Sequence, residues 1–153
     1  MKEAAATGGG MIDITEKPAI WRRATASGKI RLKESTVQAI LAGSVKKGDA
    51  LNAARIAAVL AVKDTPRIIP MCHPIPITSV DVDFDLQPGA VQAWVTVTSL
   101  GRTGVEMEAL TGAAAALLTL WDMVKYLEKD ETGNYPETAI LEIRVLEKRK
   151  DAV

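Results

Sequence analysis

The chain has 153 residues, 48% of them hydrophobic, and its 19 Lys plus Arg balance 19 Asp plus Glu. That length suits one domain with a sizeable core, and zero net charge leaves no global field to recruit nucleic acid or an anionic membrane, so any electropositive site must be local. A single cysteine excludes an intramolecular disulfide, and one cysteine with one histidine falls short of a zinc ligand set. With no charged leader and cleavage site in view, the expected location is the reducing cytoplasm.

The opening MKEAAATGGG is small and aperiodic, which predicts a disordered tail over 1–10 and a single domain over 11–153. ATASGKIRL alternates weakly around Ile30 and Leu32, predicting an edge strand. KESTVQAILAGS places Val37, Ile40 and Leu41 at helical spacing, with Gly43 as its stop. Asp49 is placed to cap a second helix carrying Leu51, Ile56, Val59, Leu60 and Val62, which is expected to end before Pro66.

After the proline-rich IIPMCHPIPIT, Val80, Val82, Phe84 and Leu86 alternate with Asp81, Asp83 and Asp85, a strand with one wet face. Pro88 and Gly89 supply a turn, and Val91, Ala93, Val95 and Val97 resume the alternation, so the pair reads as a hairpin. From Gly104 a long helical pattern runs through Met107, Leu110, Ala114, Leu117, Trp121 and Val124 until Gly133 and Pro136 break it. Its most apolar run, GAAAALLTLW, is too short to span a bilayer, so no membrane segment is expected. Ala139, Leu141, Ile143 and Val145 then alternate on one face of a last strand. The order β-αα-β-β-α-β is that of a ferredoxin-like α+β sandwich, an antiparallel sheet packed against helices.

Three places invite chemistry. Pro74 pushes His73 toward extended backbone, so the proline loop aims its side chains reproducibly, and Cys72 and His73 point to opposite sides. That rules against a paired thiolate and imidazole. On residue chemistry alone, a partly buried His73 satisfied by a backbone carbonyl is the simpler account. Lys46, Lys47 and Gly48 precede a helix whose first N–H groups are free, an arrangement suited to an anion, although the rest of a Walker loop is absent. Arg102 and Thr103, between Gly101 and Gly104, repeat the theme ahead of the long helix. Glu106 and Glu108 fit a simple role opposite the helix dipole. Asp122 and Lys125 share one face of a strongly apolar helix; a surface ion pair would explain them, but a lysine partly desolvated beside an aspartate could also move a proton near neutral pH.

KKGDALNAARIAAVLAVK, IIPMCHPIPIT and TGVEMEALTGAAAALLTLWDMVK together resemble, in order and spacing, the signature segments of the cyclic pyranopterin monophosphate synthase (MoaC) family of molybdenum cofactor biosynthesis. The resemblance covers the chain from Met11 onward and makes 11–153 a single catalytic domain. It implies a lyase that converts (8S)-3′,8-cyclo-7,8-dihydroguanosine 5′-triphosphate to cyclic pyranopterin monophosphate and pyrophosphate. It further implies a homohexamer, a trimer of dimers, with no cofactor and no resident metal. Carried over by motif, the catalytic residues fall on Asp122, Lys125, Lys47 and His73. Met71, Cys72, His73, Glu106, Met107 and Glu108 look like substrate contacts, with Arg102 expected to hold phosphate. RVLEKRKDAV has Lys148 where a family lysine would align but lacks the glycines of many relatives, so Lys148 is left outside the expected site.

Glu106 and Asp122 stand sixteen positions apart on one helix, about 24 Å at 1.5 Å per residue, too far to meet at one reacting centre. If both serve one pocket, two chains must build it. The competing reading is a non-enzymatic ferredoxin-like nucleotide-sensing module, which would bind a nucleotide without consuming it and has no need of the Asp122 and Lys125 pair. An RNA-binding variant of that module is disfavoured by the few aromatic residues and zero net charge.

Overall fold

The computed structural model describes residues 8–151. Residues 1–7 of the expected tail lie outside the described residues, while Gly8, Gly9 and Gly10 are exposed and without regular structure. The elements are β1 (Ile20–Arg31), α1 (Glu34–Leu41), α2 (Ala50–Ile68), β2 (Ile77–Gln87), β3 (Ala90–Gly101), α3 (Glu106–Glu128) and β4 (Ala139–Asp151). The four strands form one sheet in the order β2-β3-β1-β4, every neighbouring pair antiparallel. Each βαβ unit thus spans a strand of the other, which is the ferredoxin-like α+β arrangement predicted from element order.

Alternation decides which side of the sheet is buried. Ala24, Ala26 and Ile30 of β1 and Val91, Ala93, Val95 and Val97 of β3 are fully buried against α3, which contributes Ala109, Ala113, Ala116, Leu117, Leu120 and Val124. Ala54, Ala58 and Val62 of α2 close the same core. Small residues set the spacing of these layers. A Cβ added to Gly112 of α3 would stand 2.8 Å from Val62 and 3.0 Å from Val95, so the helix lies almost backbone-close to α2 and β3. Among the described residues, the opposite face of the sheet carries no helix.

Glu128, only 1% exposed, ties the lower end together. Its Oε2 accepts the Thr36 hydroxyl and, at 3.2 Å, the Lys33 N–H, while Oε1 accepts the Thr138 hydroxyl at 2.7 Å. This carboxylate therefore caps α1 from outside and fixes the segment that leads into β4.

Three expectations are corrected. β1 is not an edge strand but lies between β3 and β4; its run of Ala24, Ala26 and Gly28 gave a weak hydrophobic signal because helix packing there needs small residues. α2 does not end before Pro66 but continues to Ile68. Pro66 stands in the final turn, where it forfeits one helical bond, and the Ile69 N–H still reaches the Thr65 carbonyl at 2.8 Å. In β4 the expected single face is broken. The register against β1 slips twice, and Glu142 adopts φ 56°, so Ala139 and Leu141 oppose Arg31 and Lys29 whereas Val145 opposes the buried Ala26. A bulge changes which side of the strand faces the helices.

Candidate functional site

The sequence-predicted residues gather into two clusters, one at each end of α3. At the C-terminal end, Asp122 and Lys125 are one helical turn apart, and Lys125 Nζ lies 3.0 Å from Asp122 Oδ1. Lys47 arrives from the turn before α2 and donates to both Asp122 Oδ2 at 3.1 Å and the Asp122 carbonyl at 3.0 Å. One carboxylate is thus held between two ammonium groups, with a local charge of plus one. All three side chains are between 42% and 57% exposed, open to a ligand.

Hydrogen bonds from Lys125 and then Lys47 hold the Asp122 carboxyl below its ordinary value, and Asp122 in turn holds the Lys125 ammonium above its own. This pairing favours the ammonium form of Lys125. It stays charged, suited to stabilising negative charge on a substrate. The turn that carries Lys47 is itself fixed: the Lys46 N–H donates to the Tyr126 hydroxyl at 2.8 Å, and the Lys46 ammonium lies 5.2 Å from the centre of that ring. Gly48, at φ 119°, supplies the left-handed residue the turn needs. The anion cradle suspected at the start of α2 is partly filled from within, since Asp49 accepts the Asn52 N–H at 3.0 Å.

At the N-terminal end of α3 lies a cavity of about 350 Å³, walled by Met71, Cys72 and His73 of the proline loop and by Glu106, Met107 and Glu108. The proline loop and the start of α3 thus meet, as their motifs suggested. Gly104 makes room: a Cβ there would lie 2.1 Å from the Glu106 carboxylate. Burial pushes the Glu108 carboxyl up, with the Glu106 charge adding to it. The Cys72 thiol is raised by burial and by both glutamates, which keeps it protonated and agrees with excluding a cysteine nucleophile.

Residues 10–17 run across this cavity as a strap. His73 Nε2 lies 2.6 Å from the Ile12 carbonyl, and Arg102 Nη1 donates to the Thr15 carbonyl at 2.6 Å. His73 therefore has the carbonyl partner that its residue chemistry made the simpler account, while facing the cavity as the motif implied. Sequence reasoning missed one cation here and set another aside. Lys17 lines the cavity from the strap, and Lys148 of β4 pairs with Glu106 at 2.8 Å. The alignment of Lys148 itself with a family lysine was the available signal, set aside for want of the neighbouring glycines. Arg102 sits beside His73 and the strap, not beside Asp122.

The structure does not bring the two clusters together within one chain. Glu106 and Asp122 belong to the same 23-residue helix and are about 24 Å apart along it. Among the described residues, no group of three or more His, Cys, Asp or Glu is placed to hold a metal ion. By length and composition α3 could cross a membrane, yet one side of it is buried against the sheet and α2.

A family model described as the MoaC family matches residues 11–151. A protein of Methanococcoides burtonii is 60% identical over 143 residues, covering 94% of this chain and 90% of that relative. One from Archaeoglobus fulgidus is 59% identical over 140 residues, 92% of this chain and 90% of the relative. Another, from Aeropyrum pernix, is 56% identical and spans 94% of this chain and 99% of its own. Each of the three is named a probable cyclic pyranopterin monophosphate synthase.

Proposed function

This chain belongs to the MoaC family, and from that premise we propose that it is a cyclic pyranopterin monophosphate synthase. It is a lyase of molybdenum cofactor biosynthesis, converting (8S)-3′,8-cyclo-7,8-dihydroguanosine 5′-triphosphate to cyclic pyranopterin monophosphate with release of pyrophosphate. The observation that carries the catalytic assignment is the Asp122 carboxylate bridged by Lys47 and Lys125. Forming a cyclic monophosphate from a triphosphate requires a substrate hydroxyl to attack the α-phosphorus as the bond to the β-phosphate breaks. Negative charge then builds on the departing pyrophosphate. Two cations fixed on one carboxylate are preorganised to receive it, with no reorganisation at the moment of reaction.

His73, Glu106 and Glu108 act from the other cluster, with Met71, Cys72 and Met107 shaping the cavity and Arg102 meeting phosphate once the strap releases it. Residues 11–153 work as one catalytic domain in the cytoplasm, on a small-molecule substrate and without a cofactor. Because the clusters are about 24 Å apart on α3, a complete site joins the Asp122 end of one protomer to the Glu106 end of another, within a homohexamer arranged as a trimer of dimers. Three apolar side chains on the outer faces of α2 and α3, Ile56, Leu60 and Leu118, are more than half exposed, which supports helix-side assembly.

The test is incubation of purified protein with the cyclised guanosine triphosphate, following pyrophosphate and the fluorescence of the oxidised pterin. Both products should form with the wild-type chain and be lost with Lys125→Ala. Tight binding of the nucleotide with neither product would replace this function by the sensing module.

A further inference from the structure

The loop from α3 to β4 is built more firmly than a connection requires. Asp130 Oδ1 accepts the Thr132 N–H at 2.8 Å, the Thr132 hydroxyl at 2.6 Å and the Asn134 N–H at 3.0 Å, while the Asp130 N–H donates back to the Asn134 carbonyl at 2.9 Å. Gly133, at φ 82°, fills the left-handed position of that turn. The far end is tied by Arg31, whose Nε donates to the Glu137 carbonyl at 2.8 Å, and by the Thr138 hydroxyl on Glu128. Within 131–137 every residue is exposed except Tyr135, which is turned inward and half-buried. The knot fixes the position of one phenol.

The Tyr135 ring stands edge-on to Trp121, with centroids 5.2 Å apart and planes at 69°. Trp121 precedes Asp122 by one residue and Lys125 by four, so it shares a face of α3 with Lys125. The aromatic pair thus borders the Asp122 cluster. Asp122 does most to hold the Lys125 ammonium above its ordinary value, and Tyr135 adds to that effect, so the phenol lies within range of the Lys125 charge. Among the described residues the Tyr135 hydroxyl makes no hydrogen bond, whereas the hydroxyl of Tyr126 is occupied by the Lys46 N–H.

We propose that Tyr135 is a further substrate-binding residue of this cluster, its phenol O–H donating to a phosphate oxygen that lies against Lys125. The choice of phosphate follows from what the cluster leaves open. An ammonium has three donors; Lys47 directs two of them to Asp122 and Lys125 directs one. The cluster's carboxylate is thereby occupied, and the groups still free are ammonium N–H donors and the phenol. A phosphate oxygen accepts from all of them, whereas the edge of a purine-like base also carries donors that would go unmatched here. This role rests on the synthase reading and names the part of the substrate that the Asp122 end receives, the triphosphate. Tyr135 would then share with Lys47 and Lys125 the charge that builds as pyrophosphate departs.

Inorganic pyrophosphate is the probe, because its binding can be measured without turnover. Calorimetric titration of the full chain should give a Kd that rises roughly tenfold in Tyr135→Phe, the effect of losing one hydrogen bond to a charged group. The Phe ring still packs on Trp121, so Tm should not move. Lys125→Ala should also weaken pyrophosphate, which locates the ion at this cluster. With the cyclised guanosine triphosphate, kcat/KM of Tyr135→Phe should fall by a similar factor. Equal pyrophosphate affinity in wild type and Tyr135→Phe, no binding to the wild type, or binding indifferent to Lys125→Ala would overturn the proposal. Failure of the synthase reading would show separately, as a wild-type chain that binds pyrophosphate through Tyr135 and yet leaves the cyclised nucleotide unconverted.

Discussion

A shared site makes a quantitative demand on mixed assemblies. Glu106 and Lys125 lie on the same helix, nineteen positions and about 28 Å apart, whereas groups acting on one reacting atom must come within about 3–3.5 Å of it. A Glu106→Ala chain spoils one half of every site it helps to build, and a Lys125→Ala chain spoils the other half. Each homogeneous variant should therefore be nearly inactive. When equal amounts are mixed and allowed to exchange, a site is intact only if its Glu106 half comes from one variant and its Lys125 half from the other. Random exchange makes that combination about a quarter of all sites, whatever the number of subunits in the closed ring. Distinct affinity tags on the two variants report exchange, and pyrophosphate release reports activity. Recovery near a quarter of wild-type turnover is expected. Activity that stays at the level of the parents, with co-purifying tags proving exchange, would show that one chain builds each site and would refute the 28 Å separation as a guide to its composition.

Three further outcomes follow from geometry already described. Asp122→Asn keeps the shape but removes the charge that Lys47 and Lys125 share, so kcat should fall about 100-fold or more, and near-normal turnover would remove Asp122 from the scheme. Glu128→Ala strips the buried partner from Thr36, Thr138 and the Lys33 N–H. Each hydrogen bond to a charged group is worth about 1.5–3 kcal/mol, partly offset by no longer burying the charge, so a net loss of roughly 2–4 kcal/mol is expected. For a chain of this size that lowers Tm by about 4–16 °C; a calorimetric change below about 0.5 kcal/mol would contradict the capping role. Glu108 has its folded pKa raised above the ordinary 4.5, chiefly by burial. Ionising it therefore costs stability, a cost absent below the ordinary value and fully felt once pH exceeds the raised one. Glu108→Gln should melt higher than wild type at neutral pH, with the advantage vanishing in acid; a gain that is the same at both pH values would show that ionisation is not its source.

Much of the architecture was legible because it rests on local patterns. Val80 to Leu86 alternating with three aspartates, and the Pro88–Gly89 turn behind them, declare a hairpin without reference to anything distant. What could not be read depends on pairing between remote segments. Nothing near Ala24 or Gly28 says that β4 will come to lie outside β1, and nothing near Glu142 announces a bulge. The site divides in the same way. Asp122 and Lys125 declare their shared face by spacing alone, and the proline loop and the start of α3 were found through their motifs. The strap was invisible because it works through the Ile12 and Thr15 carbonyls, which every residue type possesses. Lys148 was set aside for want of neighbouring glycines, yet its contact with Glu106 spans more than forty residues of sequence and needs none of them.

The close seating of α3 on the sheet gives this helix a second property, one of phase. Each residue turns a helix by roughly 100° and advances it 1.5 Å, so the stretch between Glu108 and Trp121 sets the angle at which Asp122 and Lys125 leave the axis relative to Glu106. A single deletion there would swing the lysine and aspartate a quarter-turn or more away from Lys47, and one placed before Gly112 would also carry that glycine out from beneath Val62. Under the proposed shared site, the length of this one helix specifies the site as much as the identity of the groups it carries.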